Sequence, residues 1–344
     1  MKAKLTPLVL ALATVGYQPT SLAATMEDLR INGFLSAGVA VTDNDQLSVG
    51  SIDEDASFKE DTILGLQISA PISDRFSLTG QLVAKGTEDY EVDAAWAYAS
   101  FQASDELQLR IGRLRAPLYY YSDSLEVGYS YHWIRPPEEI YGGGGLNNLD
   151  AVDAIYTTEL GDVETSFQVY YGRFDQSIDF AGTQVPFDLT NWFGAIGTFT
   201  LDVFTARLSY HQADFETPGF PILPNDPETG GFLSGALVYN DDTNFILLET
   251  TKFTIDTGFN DSNTLMLTYS RTLTDEFTAH ITYADRDEDQ AAAAESRSYI
   301  AGLRWDIESN VALKFEVQHA DERTGSSGNG EDGMIYSTAV DLVF

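Results

Sequence analysis

The feature that most constrains this chain is an alternation of apolar with polar or small residues, held over segments of about ten residues and repeated along its length. Phe204, Ala206, Leu208 and Tyr210 alternate with Thr205, Arg207, Ser209 and His211. Phe277, Ala279, Ile281 and Tyr283 alternate with Thr278, His280, Thr282 and Ala284. Val311, Leu313, Phe315 and Val317 alternate with Ala312, Lys314, Glu316 and Gln318. A period of two is that of a β-strand with one apolar and one polar face. Sixteen such segments can be drawn, at about 31–42, 61–72, 76–85, 91–103, 106–114, 150–160, 163–174, 189–201, 203–213, 231–240, 244–255, 262–272, 276–286, 296–307, 311–321 and 333–344. The faces are ambiguous at 189–201, 231–240 and 244–255.

The connections sort by length. Tight turns fall at Ser73-Asp74-Arg75, Ser104-Asp105-Glu106, Gly161-Asp162, Asp202, Asp241-Asp242-Thr243, Thr274-Asp275-Glu276 and Glu308-Ser309-Asn310. The alternate connections are mostly longer: 43–60, 86–90, 115–149, 175–188, 214–230, 256–261, 287–295 and 322–332. Short turns on one rim and long loops on the other are the layout of a transmembrane barrel. A soluble sandwich has no reason to sort its loops this way. In hydrocarbon every backbone N–H and C=O must be paired, and a closed sheet achieves this without an edge. The segment from Ile31 to Val41 is therefore expected to pair with the last one. Outward aromatics such as Tyr156, Tyr210, Tyr269, Tyr283 and Trp305 would form the interfacial girdles.

The N-terminus fits export. Lys2 and Lys4 precede an apolar run from Leu5 to Gly16, and Ser21-Leu22-Ala23-Ala24 supplies small residues for cleavage after Ala23 or Ala24. Residues 1–24 are read as a cleaved signal peptide and 25–344 as a single barrel domain. Export plus barrel places the chain in the outer membrane of a Gram-negative cell, with lipid and lipopolysaccharide as its surroundings. There is no cysteine, which suits a periplasmic route. With 19 Lys+Arg against 53 Asp+Glu the formal charge is −34, and loss of Lys2 and Lys4 takes it to about −36. Phosphate backbones would be repelled, which excludes nucleic acid as a partner.

Strand number sets the bore. Eight strands fill their interior with side chains, whereas sixteen leave an aqueous channel. The longest connection, 115–149, is the third of the long loops. It follows a strand ending Gly112-Arg113-Leu114-Arg115-Ala116-Pro117-Leu118 and carries Trp133-Ile134-Arg135-Pro136-Pro137-Glu138-Glu139. In layout and in this region the chain resembles the general Gram-negative porin superfamily. That resemblance implies a 16-stranded antiparallel barrel, a third loop folded inward as a constriction, assembly as a homotrimer, and passage of ions and small solutes. The acidic Pro-Glu-Phe-Gly-Gly loop motif of enterobacterial porins is absent, and Gly142 to Gly145 reads as a flexible return. Phe344, ending Tyr336-Thr338-Val340-Leu342, resembles the terminal signature of outer-membrane barrels.

By alternation Arg110 faces the lumen, and Arg113 and Arg115 sit where the strand enters the loop. The loop carries Tyr119, Asp123, Glu126, Arg135, Glu138 and Glu139. Basic wall groups opposing acidic loop groups would set a transverse field at the constriction. The other reading is that the arginines pair with the loop carboxylates and pin it. Further lumen groups by alternation are Lys85, Arg207, His211, His280, Arg286, Arg304 and Lys314, with Asp153, Glu316 and Asp341 as anions. Small outward residues Gly80, Ala84 and Ala94 would let a neighbouring barrel approach. The outer loops are acidic, with Asp43, Asp45, Asp53, Glu54, Asp55, Glu60, Asp285, Asp287, Glu288 and Asp289. Three readings stand for them: divalent bridging to lipopolysaccharide, cation enrichment at the mouth, or a solvated rim.

Enzymatic chemistry has little to build on. Of the four histidines, His132 falls in the long loop, His211 and His280 on lumen faces, and His319 at a strand end facing outward. No Gly-x-Ser-x-Gly elbow and no His-Glu-x-x-His helix occur. No metal or cofactor is expected. The functional expectation is a diffusion channel for ions and small hydrophilic solutes, with a solute-selective channel as the alternative and a barrel hydrolase as a remote one. Net charge and acidic loops favour cations; the three arginines at 110–115 favour anions.

Overall fold

The computed structural model describes residues 29–44, 47, 49–50, 52–142, 146–180, 183–216, 227–256, 261–288, 295–324 and 331–344. The expected signal peptide, Gly143 to Gly145, Asp45 and Asp289 lie outside these. Sixteen strands form the wall: β1 Arg30–Thr42, β2 Ile63–Ser73, β3 Phe76–Lys85, β4 Val92–Gln102, β5 Leu107–Arg115, β6 Asn148–Leu160, β7 Val163–Phe180, β8 Thr183–Leu201, β9 Phe204–Glu216, β10 Glu228–Asn240, β11 Asn244–Ile255, β12 Ser262–Thr272, β13 Phe277–Glu288, β14 Glu295–Glu308, β15 Val311–Thr324 and β16 Asp332–Val343. Each is antiparallel to its neighbours, and β1 closes on β16. The seam runs from Phe34 opposite Val343 to Thr42 opposite Ile335. It is continued by Gly33 and Phe344, which exchange both N–H to carbonyl bonds at 2.9 and 3.0 Å.

Side-chain direction follows the alternation. On β9, Leu208 and Tyr210 are 62% and 45% exposed, whereas Arg207, Ser209 and His211 are buried. The exposed face is the apolar one, the reverse of a soluble protein and the signature of a wall solvated by lipid. Beside the short turns an aromatic belt includes Phe76 opposite Phe101, Phe204 against Tyr239, and Phe277 stacked on Trp305 at 5.7 Å. Towards the other rim a second belt includes Tyr210 with Phe193, and Tyr283 with Tyr299. Interfacial rings of this kind fix the height of the barrel in the bilayer.

The tight turns rest on left-handed backbone. Gly161 has φ +66°, and Asp202 and Asp242 stand at +53° and +67°; short polar side chains tolerate this region because they bond locally. The strand count and the three weakest segments agree with the expectation. One connection does not. The loop expected at 175–188 is largely a continuation of β7 and β8, paired in register from Phe174 opposite Leu189 to Phe180 opposite Thr183. Above the bilayer no face has to be apolar. The alternation that marks a strand in the sequence therefore stops there, while the hydrogen-bonded ladder goes on.

The outward face gives a direct test. Leu208→Arg places a charge on the lipid side of β9 and is expected to cost about 2–4 kcal/mol if it lies at the midplane. Folding titrations into vesicles should show that loss, and an unchanged folding free energy would contradict the assignment of this face.

Candidate functional site at the lumen loop

The long connection between β5 and β6 begins with a bend that the sequence specifies. Gly112 has φ +137°, and a Cβ there would run into the Ala97 carbonyl and the Tyr98 backbone. Only glycine takes this conformation without strain. Two residues on, β5 loses its pairing with β4 and the chain departs as a loop. The loop holds one-turn 3-10 helices at Ser122–Ser124 and Gly128–Ser130 and a short helix α1 at Glu138–Tyr141.

This loop runs inside the barrel. Its partners are inward-facing groups of strands far away in sequence. Arg207 of β9 donates to the carbonyls of Pro117 and Leu118. Glu249 of β11 accepts the Tyr120 N–H at 2.7 Å and the Tyr141 hydroxyl. His132 meets Ser270 of β12 at 2.7 Å, and the Trp133 indole donates to Thr282 of β13 at 2.8 Å. Ser298 of β14 donates to Glu139 at 2.5 Å. Arg304 holds the carbonyls of Tyr129 and Tyr131 at 2.7 and 3.1 Å, with its guanidinium 4.4 Å from the Tyr129 ring centroid. Lys314 of β15 donates to the Gly128 and Trp133 carbonyls at 2.7 and 2.6 Å and pairs with Asp341 at 2.7 Å. Glu316 accepts the Ile134 N–H at 3.1 Å. Around these anchors Tyr119, Tyr131, Trp133, Ile140 and Tyr141 pack with Tyr170, Trp192, Leu247 and Met266 of the wall into one apolar cluster.

The expected site residues divide accordingly. Arg207, Arg304 and Lys314 face inward as the alternation requires, but they end on loop carbonyls rather than in open water. A loop packed in a barrel leaves carbonyls that no strand can satisfy, and long cationic donors reach them. His211 is buried against the Tyr170 hydroxyl at 2.7 Å, and His280 lies 3.7 Å from Glu316. Arg286 pairs with Glu288 at 2.8 Å, on the same strand. Arg115 and Lys85 converge on Glu126, at 2.5 and 3.2 Å. Arg135 chelates Asp61 at 2.6 Å and donates to Ser337. Glu138 opens α1 and is exposed. Arg113 does not join this set; it pairs with Asp93 at 3.4 Å.

Arg110 stays on the wall. It holds Asp153 of β6 through two nitrogens, at 3.0 and 2.5 Å, and lies 5.5 Å from the Tyr98 ring centroid. Gln168 of β7 donates to the same carboxylate at 2.8 Å. Asp123, exposed on the loop, is within electrostatic reach of Arg110 and Arg207. Sequence reasoning missed Glu249, Asp61, Ser298, Ser337 and Trp133 as anchors. For Glu249 a signal existed, a lone carboxylate on the inward phase of its strand, which is otherwise neutral on that face.

Burial sets the loop's titration. Burial opposes charge on Glu126, but Arg115 and Lys85 overcome it and hold the carboxyl below its ordinary value. Burial pushes the Glu139 and Asp61 carboxyls up, in the latter case despite Arg135. Burial, with Arg304 and Lys314 nearby, pushes His132 down to about 4, so it is neutral at physiological pH.

Two outcomes follow. Glu249→Leu leaves the Tyr120 N–H and the Tyr141 hydroxyl without their acceptor, at about 1–3 kcal/mol each. Limited proteolysis within 116–147 is expected to become fast in that variant while the barrel survives. For pH, the depressed Glu126 contributes stability that is full above about pH 4.5 and is lost as pH falls through its lower folded value. Glu139 and Asp61 have the opposite sign, since protonation relieves their burial. Acid is therefore expected to loosen the loop near Glu126 and leave α1 seated. Glu126→Gln should flatten the pH dependence of cleavage near residue 126, and an unchanged profile would count against this anchor.

No family model matches the chain, and no curated protein matches it. Solved structures do. The outer membrane channel DcaP of Acinetobacter baumannii superposes with a TM-score of 0.66 at 14% identity, over 92% of this chain and 97% of that one. An anion-selective porin from Comamonas acidovorans gives 0.63 at 14%, over 92% and 99%. OmpT, an outer membrane protein of Vibrio cholerae, in its trimer form gives 0.60 at 11%, over 92% and 99%. At these identities the likeness is one of fold: the chain has the closed 16-stranded barrel of outer-membrane porins.

Proposed function

We propose that the protein is an outer-membrane porin that passes ions and small hydrophilic solutes by passive diffusion. One observation carries this reading: a closed barrel of 16 strands, wide enough for water, whose inner wall is polar and whose bore is narrowed by a loop bound to that wall. The loop's hydrogen bonds go mainly to β9 and β11 to β16. Arg110, Asp153 and Gln168 of β5 to β7 bond one another instead, and the passage is assigned to that side. Residues 1–24 would be removed on export.

The constriction charges are largely compensated, Arg110 by Asp153 and Arg115 with Lys85 by Glu126. Asp123 and Glu138 are exposed acids on the loop, and they agree in sign with the net charge of −34. A modest preference for cations follows, because sign selection is set by charge at the narrowest point. The lipid face of β2 to β5 carries a shallow groove lined by Ala70, Leu78, Gly80, Ala97, Ala99 and Ile111. Small residues let another barrel approach, and a homotrimer of the kind named for OmpT is the assembly proposed, surrounded by lipid and lipopolysaccharide.

Planar-bilayer recordings under a potassium chloride gradient test the proposal. The expected record has conductance steps grouped in threes and a reversal potential of cationic sign. Asp123→Arg should move that potential towards anions with little change in fold. A refolded barrel that carries no current would overturn the channel reading.

A further inference from the structure

One feature of the lumen lies at the edge of the loop's packing and takes no part in sorting charge. Half-buried rings line the wall from the extracellular ends of β8 and β9 down to the loop. Phe187 of β8 stacks on Phe215 of β9, with centroids 6.3 Å apart and planes 19° from parallel. Below Phe215 the inward position on β10 is Gly230, where a Cβ would sit 3.4 Å from the Phe215 ring, so that position puts no side chain against the ring. Two residues further along β10 comes Phe232, which meets Tyr119 of the loop edge-on at 5.5 Å. The line ends at Tyr120 and Tyr121, 4.9 Å apart and nearly perpendicular. Phe187, Phe215, Phe232, Tyr120 and Tyr121 are all half-buried and pack on the edge of the inner cluster.

Aromatic side chains left half-buried on the inner face of a barrel cost solvation wherever water touches them. Here they lie on the phase that alternation reserves for the lumen, while the lipid-facing rings have their own belts. The wall beside the passage is a different chemistry. Gln67 and Gln81 are bonded to each other at 3.2 Å, Ser69 meets Thr79 at 3.4 Å, and Gln168 donates to Asp153. These are amides and hydroxyls, and the charges among them are paired.

Resting on the channel reading, we infer that this row of rings is a binding track for uncharged carbohydrate. A ring face carries the negative end of its quadrupole and attracts the weakly positive C–H groups of a flat sugar face. Amide and hydroxyl groups across the passage satisfy the sugar's hydroxyls without favouring either sign of charge. Apolar walls with a few placed polar groups are the general composition of a small-molecule site. A β-linked glucan, with its hydroxyls equatorial and its C–H groups on the two faces, suits the track best. A flexible polyether of equal mass has no such face.

The test is current block in a planar bilayer, with cellotriose as probe and polyethylene glycol of equal mass as control. Cellotriose is expected to lower the potassium chloride conductance saturably, and the polyether without saturation. Phe215→Leu and Tyr120→Leu keep apolar bulk and remove the ring. Each should raise the half-blocking concentration by roughly 2- to 10-fold. Phe193→Leu, on the lipid face, should leave it unchanged. A conducting barrel without saturable block, or one whose block is indifferent to both ring variants, overturns the track alone. A barrel that conducts no potassium chloride overturns the channel reading and the track with it.

Discussion

The structure depends on the pairing of β1 with β16. Every other ladder joins strands adjacent in sequence. The seam joins residues about 300 positions apart, and without it two edges of unpaired amides and carbonyls would face hydrocarbon, at several kcal/mol for each group. Closure fixes the diameter once the number of strands is given. The diameter then decides that the interior is too wide for wall side chains to fill, which leaves room for a loop of some thirty residues inside.

That loop creates a second requirement. Its backbone carries carbonyls and amides that lie off any sheet and largely out of water. Lys314, Arg304 and Arg207 answer the carbonyls; Glu249 and Glu316 answer the amides of Tyr120 and Ile134. These groups are charged and buried, an arrangement that stands when each has several partners and fails when one partner is removed. The wall cations thus have a structural use that uses up most of their charge. Asp123 remains exposed on the loop, and Arg110 on the wall is compensated by Asp153.

Some of the site was legible in the sequence. Alternation put Arg110, Arg207, Arg304 and Lys314 on the lumen face, because in a strand direction is fixed by parity. It could not say what they touch. Lys314 and the Gly128 carbonyl are 186 positions apart, and nothing local links them. Arg113 shows the limit within one strand: it was placed with Arg115 at the entry to the loop, yet beyond the bend at Gly112 Arg115 pairs with Glu126 of the loop and Arg113 with Asp93 of β4. Phe215 fell in an expected loop and Phe232 in a segment of ambiguous faces; β9 and β10 run further than expected, and that places both rings inward.

The sequence by itself determined the class and the layout: closed, antiparallel, with 16 strands, short turns on one rim and longer connections on the other. These follow from period-two patterning, turn residues and chain length, which are local properties that a bilayer enforces without exception. Only the tertiary structure decided how the loop is held, which charges are spent on holding it, and which inward rings come to lie beside it. Those outcomes are set by contacts between distant segments, whose geometry exists once the barrel has closed.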